Sequence, residues 1–306
     1  MREFKFIYIL LFAVGSMCLE IFAQESNFKV LAIRGEILID SNNTNLWHSL
    51  TLGSKITGSE KIKLNNNSYL GLAFSPGGTL ELKKPGEYNY SQLMFFVNLD
   101  HRTVNRKFSD FVFNELTKKI GVIKEMKSAG AVIRLRPNCI PVALPYSSFT
   151  IDSVINFKWH PVSPATNYIF KFMNGSNRTI FMKEVKDTSL SINLNSLYLE
   201  SDSAYKWYVY ELESPSISSD TNCIIKYSQK STEAIKDSLI ELNKTLGNEP
   251  SALNQIIYSE FYKRNQLNID ALQSLENAAA LEPSVDAYDN MLNDFLFNMR
   301  IIKMNE

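Results

Sequence analysis

The residue types from which hydrolytic and metal sites are built occur in this sequence without the spacing that such sites require. The three histidines, His48, His101 and His160, show neither an H-E-x-x-H motif nor a paired Cys/His spacing. No G-x-S-x-G motif is present, and the turn at 75–78 lacks the Lys-Ser/Thr pair of a phosphate-binding loop. Carboxylates can still meet in a fold; examples are Glu81, Glu87, Asp110 and Glu115. We therefore predict a protein that is not an enzyme and that holds neither metal nor cofactor.

Cys139 and Cys223 are the cysteines that could form a structural disulfide, because they flank the middle of the chain. In an oxidising compartment two such thiols can pair and close a domain. The alternative is two buried free thiols, since free cysteine is among the most buried residue types. Cys18 would suggest a lipid anchor, but Met17 precedes it where lipidation requires a small residue.

An aromatic cluster on one predicted strand is the candidate binding surface. Tyr205 and Trp207 alternate with Tyr208 and Tyr210, so the first two should face a core and the last two should face outward. An exposed tyrosine pair on a β-sandwich can stack on a sugar ring or on a partner's side chain. The alternative is that a neighbouring domain or helix covers the pair.

The N-terminal 23 residues have the parts of a secretory signal peptide. Arg2 and Lys5 form a basic start, residues 6–14 form an apolar run, and Ala23 is a small residue before a cleavage at Gln24. The apolar run is shorter than the ~20 residues that a membrane span needs. We predict an exported protein, periplasmic rather than secreted or lipid-anchored, with no transmembrane segment after the signal.

The composition of the chain limits its partners. Because 32 basic and 32 acidic residues give zero net charge, the sequence has no electrostatic footprint for nucleic acid or an anionic membrane. A hydrophobic content of 45% indicates folded domains, and the length after the signal is enough for two or three. We therefore exclude nucleic acid as a partner.

The hydrophobic pattern predicts a mainly β protein with an α-helical C-terminal tail. Residues 24–100 show short alternating strands between turns, typical of a small antiparallel β-sandwich or roll. Residues 131–230 return to alternation and predict seven short strands, typical of an antiparallel immunoglobulin-like sandwich.

Helical periodicity occurs in two places. Residues 101–130 carry apolar side chains at three- and four-residue steps, which predicts an amphipathic helix that bridges the two β-domains. Residues 231–306 have few glycines and many leucines and alanines, which predicts a helical tail. The helices expected in the tail span about 232–246, 250–264, 268–281 and 284–302.

Glycines and alternating apolar residues in the first β segment resemble those of a known family. The matching residues are Gly35-Glu36-Ile37, Trp47, Leu52-Gly53-Ser54-Lys55-Ile56, Gly58, Ile62, Ser68 to Leu72, Gly78, Leu80-Glu81-Leu82 and Pro85-Gly86. Residues 35–86 thus resemble the periplasmic FecR-type domain. Some members of that family relay a signal to a sigma factor and carry a membrane helix ahead of this domain. Here the predicted signal peptide stands in that place, so the relay function is not implied.

Two further resemblances concern the sandwich and the tail. Residues 140–228 look like a fibronectin type III sandwich through the segments 155–159, 164–168 and 205–209, and this implies that Trp159 and Tyr168 lie in the core. Residues 252–283 are similar to one tetratricopeptide unit. The residues at its fixed offsets are Tyr262, Ala271, Leu275, Ala278 and Pro283. Since one unit cannot bury its own faces, the flanking helices would have to cap it.

Together these features predict a non-enzymatic, exported protein of a bacterial envelope. We expect it to act as a binding or scaffolding module toward other envelope proteins or toward glycans such as peptidoglycan. One alternative is a periplasmic sensory component that detects a ligand and relays it to a membrane partner. The other is a hydrolase whose site forms only in the fold.

Overall fold

A computed structural model describes residues 26–41, 43–74, 78–100, 138–162, 165, 167–246 and 250–301. The predicted signal peptide (1–23) and the predicted bridging helix (101–130) lie outside the described residues. In the described ranges the chain is mainly β-sheet with a C-terminal helical region, as the sequence predicts. No helix within those ranges is both long enough and apolar enough to cross a membrane.

The first β-domain consists of two four-stranded antiparallel sheets and one helix. One sheet has the order β4-β1-β6-β7 and the other the order β3-β2-β5-β8. Their strands are β1 (Phe28–Arg34), β2 (Ile37–Asp40), β3 (His48–Ser49), β4 (Lys55–Ile56), β5 (Lys61–Leu64), β6 (Tyr69–Phe74), β7 (Thr79–Leu82) and β8 (Gly86–Asn89). Helix α1 (Tyr90–Asp100) follows β8 and places Leu93 and Val97 in the core that the sheets enclose.

Strand β6 differs from an ordinary sandwich strand because all six of its residues are buried. Leu70, Leu72 and Phe74 face the core of the first domain, as the alternating pattern predicts. The opposite face of the strand carries Tyr69, Gly71 and Ala73. Both Tyr69 and Ala73 belong to a second core, which the C-terminal helices share.

The second β-domain is an immunoglobulin-like sandwich of seven strands, the number that the sequence predicts. They are β9 (Ser147–Thr150), β10 (Val154–Lys158), β11 (Tyr168–Met173), β12 (Thr179–Val185), β13 (Ser189–Asn193), β14 (Ala204–Glu211) and β15 (Asn222–Lys226). A five-stranded sheet has the order β12-β11-β14-β15-β9, and the pair β10-β13 forms the other layer. The sequence predicts an antiparallel sandwich, and this is wrong for one pair, because strand β9 pairs parallel with β15. Such a pair needs a long connection, which the rest of the domain supplies.

The sandwich core is built mainly from aromatic rings. Trp207 is fully buried and its ring lies 4.8 Å from that of Phe157. Trp159 and Tyr168 are buried with ring centroids 5.8 Å apart, which confirms the structural role that the fibronectin resemblance implies for them.

Four helices follow the sandwich, close to the predicted ranges. They are α2 (Gln229–Leu246), α3 (Ala252–Arg264), α4 (Asn268–Leu281) and α5 (Asp286–Asn298). Ser251 caps α3 by accepting a hydrogen bond from the backbone N–H of Asn254. The helices pack into one core with Leu31, Ala32, Tyr69 and Ala73 of the first β-domain, and Phe149, Ile151 and Tyr227 of the sandwich pack against that core. The tail therefore joins both β-domains.

Candidate functional site

The predicted tyrosine pair lies on the outer face of the five-stranded sheet. Because residues alternate along β14, Tyr205, Trp207 and Val209 are buried while Tyr208 and Tyr210 are half-buried and point the other way. The two tyrosine rings have centroids 5.9 Å apart and an interplanar angle of 32°. Among the described residues, no hydrogen bond is made by either hydroxyl group. We call Tyr208 and Tyr210, together with Ile169 and Lys171 of β11 and Met182 of β12, the tyrosine face.

The neighbours of the pair complete this surface. Lys171 of β11 lies opposite Tyr208, and its ammonium group stands 5.8 Å from the centre of that ring. Met182 of β12 lies opposite Lys171 and is 59% exposed. Ile169 lies opposite Tyr210 and is buried at the base of the surface. The surface can therefore offer two aromatic rings, a thioether and one cation to a ligand.

The predicted disulfide is contradicted by the strand register. Cys139 and Cys223 are not bonded to each other. Cys223 pairs with Lys206, while Cys139 lies beside Ser218, which pairs with Tyr210. Lys206 and Tyr210 are four positions apart on β14, or ~13 Å at the rise of a strand, and the Cα atoms of a disulfide are rarely more than ~7 Å apart. Burial raises the pKa of the Cys223 thiol, so it is not an activated nucleophile.

Of the other polar residues considered from the sequence, those that the structure describes do not come together as a catalytic group. His48 is exposed on β3 of the first domain, and His160 follows β10 in the sandwich. His101, Asp110 and Glu115 lie outside the described residues. Glu87 forms an exposed ion pair with Lys63 at 2.9 Å. In the described ranges, no group of three or more His, Cys, Asp or Glu side chains is arranged to hold a metal ion.

Glu81 has a structural role, because it connects the first β-domain to the helical tail. Its Oε1 atom accepts hydrogen bonds from the hydroxyl of Tyr69 (2.7 Å), the hydroxyl of Ser251 (2.9 Å) and the backbone N–H of Leu253 (2.8 Å). Ser251 and Leu253 belong to the N-terminus of α3, where a negative charge is favoured by the helix dipole. A carboxylate on β7 thus caps a helix that is 170 residues away in the sequence.

Charged residues extend this network to the start of α5. Lys83 forms ion pairs with Glu81 at 3.6 Å and with the buried Glu282 at 2.5 Å. Arg34 forms a second ion pair with Glu282 at 2.9 Å. Burial alone would lower the pKa of Lys83, but the hydrogen bond and charge of Glu282 and the charge of Glu81 outweigh it, and its pKa is raised.

Two tyrosines lie at the centre of the network. The hydroxyls of Tyr69 and Tyr288 are 2.8 Å apart. Burial, together with the neighbouring carboxylates, raises the pKa of both phenols, so both stay neutral at any ordinary pH. These phenols serve as hydrogen-bonding groups within the interface between β6 and α5.

An acidic cleft of about 240 Å³ lies between the sandwich and α4. Asp152, from the turn between β9 and β10, and Asp270, from the first turn of α4, both line it. Burial raises the pKa of Asp270 to about 6, and the charge of Asp152 adds to the shift. A carboxyl with a raised pKa beside a second carboxylate can share a proton or act as a general acid. Among the described residues, this cleft is the place that suits the alternative of a hydrolase best.

The sequence could not indicate either the network or the cleft. Glu81 and Ser251, like Asp152 and Asp270, are separated by more than a hundred residues and follow no common motif. The only sequence feature that pointed to the network around Glu81 was the pattern of β6. This strand alternates large apolar residues with Tyr69, Gly71 and Ala73, which leaves a flat second face. For Tyr208 and Tyr210 the alternation was sufficient, because both residues lie on one strand.

Comparison with known proteins yields only distant structural neighbours. No protein-family model matches the chain, and no curated protein matches it. The fn3 domain of the human collagen alpha-1(XX) chain has 19% identity and a TM-score of 0.23; the match covers 33% of this chain and 95% of that domain. The FN1-FN3 domains of chicken CNTN1 have 11% identity and a TM-score of 0.22; the match covers 67% of this chain and 55% of theirs. The sandwich assignment therefore stands on strand order and core.

Proposed function

We propose that this chain is a non-enzymatic, exported protein of a bacterial envelope that binds a partner through the tyrosine face. On this proposal the sandwich supplies the binding surface, and the helical tail fixes its position relative to the first β-domain. The ligand is a glycan or the side chains of another envelope protein, since either can stack on a tyrosine pair.

The observation that carries this proposal is the half-exposed pair Tyr208 and Tyr210. Their ring planes are tilted by 32° and their centroids are 5.9 Å apart, so a ligand can touch both rings at once. Ile169 is buried opposite Tyr210, and Lys171 stands beside Tyr208, so part of the surface is already ordered before a ligand arrives. Ordered side chains lose little entropy on binding.

The packing of the tail supports a bracing role and argues against the tail as the main binding module. Its helices bury their apolar faces against β6 of the first domain, while Phe149 and Tyr227 of the sandwich pack on the same core. A tetratricopeptide-type binding surface would need one of those faces to be free. The resemblance of residues 252–283 to that family therefore implies helix geometry and not peptide binding.

The test is binding by a variant that lacks both rings. We expect Tyr208→Ala/Tyr210→Ala to reduce retention on purified peptidoglycan, or cross-linking to envelope proteins, by about 10-fold or more, since each lost aromatic contact is worth about 1 kcal/mol. Co-sedimentation with sacculi and cross-linking in envelope extract measure the two ligand classes separately.

Tyr198→Ala is the matched control, because Tyr198 is 93% exposed on the same domain and lies outside the tyrosine face. Circular dichroism and thermal unfolding check that the double variant keeps its fold. Equal binding by the wild type, the double variant and the control would contradict the proposal.

A further inference from the structure

Among the described residues, helices cover only one of the two edges of the five-stranded sheet. Edge strand β9 is bonded to the turn between α3 and α4: the backbone N–H of Phe149 donates to the carbonyl of Gln266 at 2.9 Å. Ser147 accepts from the side chain of Asn268 at 2.9 Å, and the Ser148 hydroxyl accepts from the N–H of Ile269 at 3.2 Å. We call this contact the sandwich–tail joint.

The acidic cleft borders the joint directly. Asp270 follows Asn268 and Ile269, the two α4 residues that bond to β9, and Asp152 lies two residues beyond the end of that strand. Both carboxyl groups line the same cleft, one on each side of the joint. Two ionised carboxylates placed across an interface repel each other and oppose its closure.

We propose that the sandwich–tail joint is pH-sensitive: it is closed when Asp270 is protonated beside Asp152, and it loosens when both carboxylates are ionised. The tyrosine face would then change its position relative to the tail with the pH of the surroundings. This inference does not depend on which ligand the tyrosine face binds.

The charged groups around Asp270 come from three elements. The sandwich contributes Asp152 and Lys158, α4 itself contributes Glu276, and α3 contributes Tyr258 and Tyr262. A backbone hydrogen bond favours the ionised form of Asp270, whereas burial and the charge of Asp152 oppose it.

At Asp270 the effects of burial and of Asp152 are the larger ones. Its pKa is raised from 3.8 to about 6 by burial and then by Asp152. Next to it, the pKa of Tyr262 is raised to about 12 by burial and by the charge of Asp270, so that tyrosine remains a neutral donor.

The sign of the effect follows from this shift. Because the closed joint binds the proton more tightly than the open one, its closure is most favourable below about pH 4 and weakens as pH rises through 6. Between pH 4.8 and 7.5 we expect the ratio of open to closed molecules to rise on the order of tenfold.

The experiment measures the distance across the joint by pulsed electron paramagnetic resonance. Spin labels are attached at Tyr198→Cys on the sandwich and Ala280→Cys at the exposed end of α4, in a chain that also carries Cys18→Ser, Cys139→Ser and Cys223→Ser. A chelator in the buffer prevents a divalent cation from bridging the two carboxylates. We expect one narrow distance at pH 4.8 and a second, longer population at pH 7.5.

Asp270→Asn should abolish the longer population at pH 7.5, since the amide imitates the protonated acid. Asp289→Asn is the matched control, because Asp289 is an aspartate in the first turn of the next helix and does not line the cleft. Denaturant unfolding of the unlabelled chains provides a second readout: Asp270→Asn should stabilise the protein more at pH 7.5 than at pH 4.8. Identical distances at both pH values, or a response that survives Asp270→Asn, would overturn the proposal.

Discussion

At the scale of single residues, Glu81 shows how one carboxylate can hold two domains in register. One of its oxygens receives three donors, of which Tyr69 comes from the first β-domain and Ser251 and Leu253 from the start of α3. Removing a shared acceptor leaves all of its donors unpaired, and each buried unpaired group costs about 1–3 kcal/mol. The geometry of this contact is therefore more specific than apolar packing alone.

Glu81→Ala should lower the free energy of unfolding by about 2–4 kcal/mol, because three donors lose their acceptor and Lys83 loses one of its two ion-pair partners. Glu87→Ala, on the neighbouring strand, removes an exposed ion pair with Lys63 and should cost less than about 1 kcal/mol. Urea unfolding of the two variants beside the wild type measures both values. If the two substitutions cost the same, Glu81 does not connect the domains as described.

At the scale of elements, the sandwich–tail joint depends on a tyrosine near the end of the sandwich. Tyr227 packs its ring 4.5 Å from that of Phe149 and donates its hydroxyl to the carbonyl of Asn265, after the end of α3, at 2.9 Å. The ring of Tyr227 packs against Phe149, and its hydroxyl holds the end of α3 through Asn265. A substitution that removes only the hydroxyl separates the two contributions.

Tyr227→Phe keeps the ring and removes only the hydrogen bond. We expect it to reduce the free energy of unfolding by about 0.5–1.5 kcal/mol, the usual value of one such bond. Tyr198→Phe should be neutral, since Tyr198 is 93% exposed. Guanidinium unfolding compares the two; a neutral Tyr227→Phe would mean that the hydroxyl does not contribute to the joint.

Elements could be predicted from the sequence where a local period determines them. The alternation of Ile155, Phe157 and Trp159 predicted β10, and Gly247 and Pro250 in the sequence predicted a boundary between α2 and α3. Pairings between distant segments could not be predicted in this way. The second face of β6 and the parallel placement of β9 against β15 depend on residues more than seventy positions away. For the same reason the tyrosine face could be predicted and the acidic cleft could not.

At the scale of the whole molecule, the helical tail is a brace between two β-domains. It covers the outer face of β6 on one side and the edge of β9 on the other, which would otherwise expose apolar residues and unpaired backbone groups. A brace of this kind fixes where the tyrosine face points relative to the first domain. The resemblance of that domain to the FecR type stays a prediction, and so does the resemblance of the tail to a tetratricopeptide unit.

Gly71 is the position where the brace can be disturbed with the smallest change. A Cβ atom there would lie 3.3 Å from that of Ala32 and 3.4 Å from the hydroxyl of Tyr288 on α5, so a larger side chain must separate the helix from the sheet. At Gly58 of the same domain, a Cβ atom would meet nothing within 4 Å. The two glycines therefore form a matched pair.

Hydrogen exchange of the full chain, with Gly71→Val compared against Gly58→Val, tests the brace most directly. If the tail is held by the first β-domain, Gly71→Val should lower the protection of amides in α3, α4 and α5 together with those of β6, by about 5-fold or more for a loss of 1–3 kcal/mol. Gly58→Val should leave all of them unchanged. Wild-type protection of the three helices in Gly71→Val would show that the tail folds independently of the β-domain and would contradict the account.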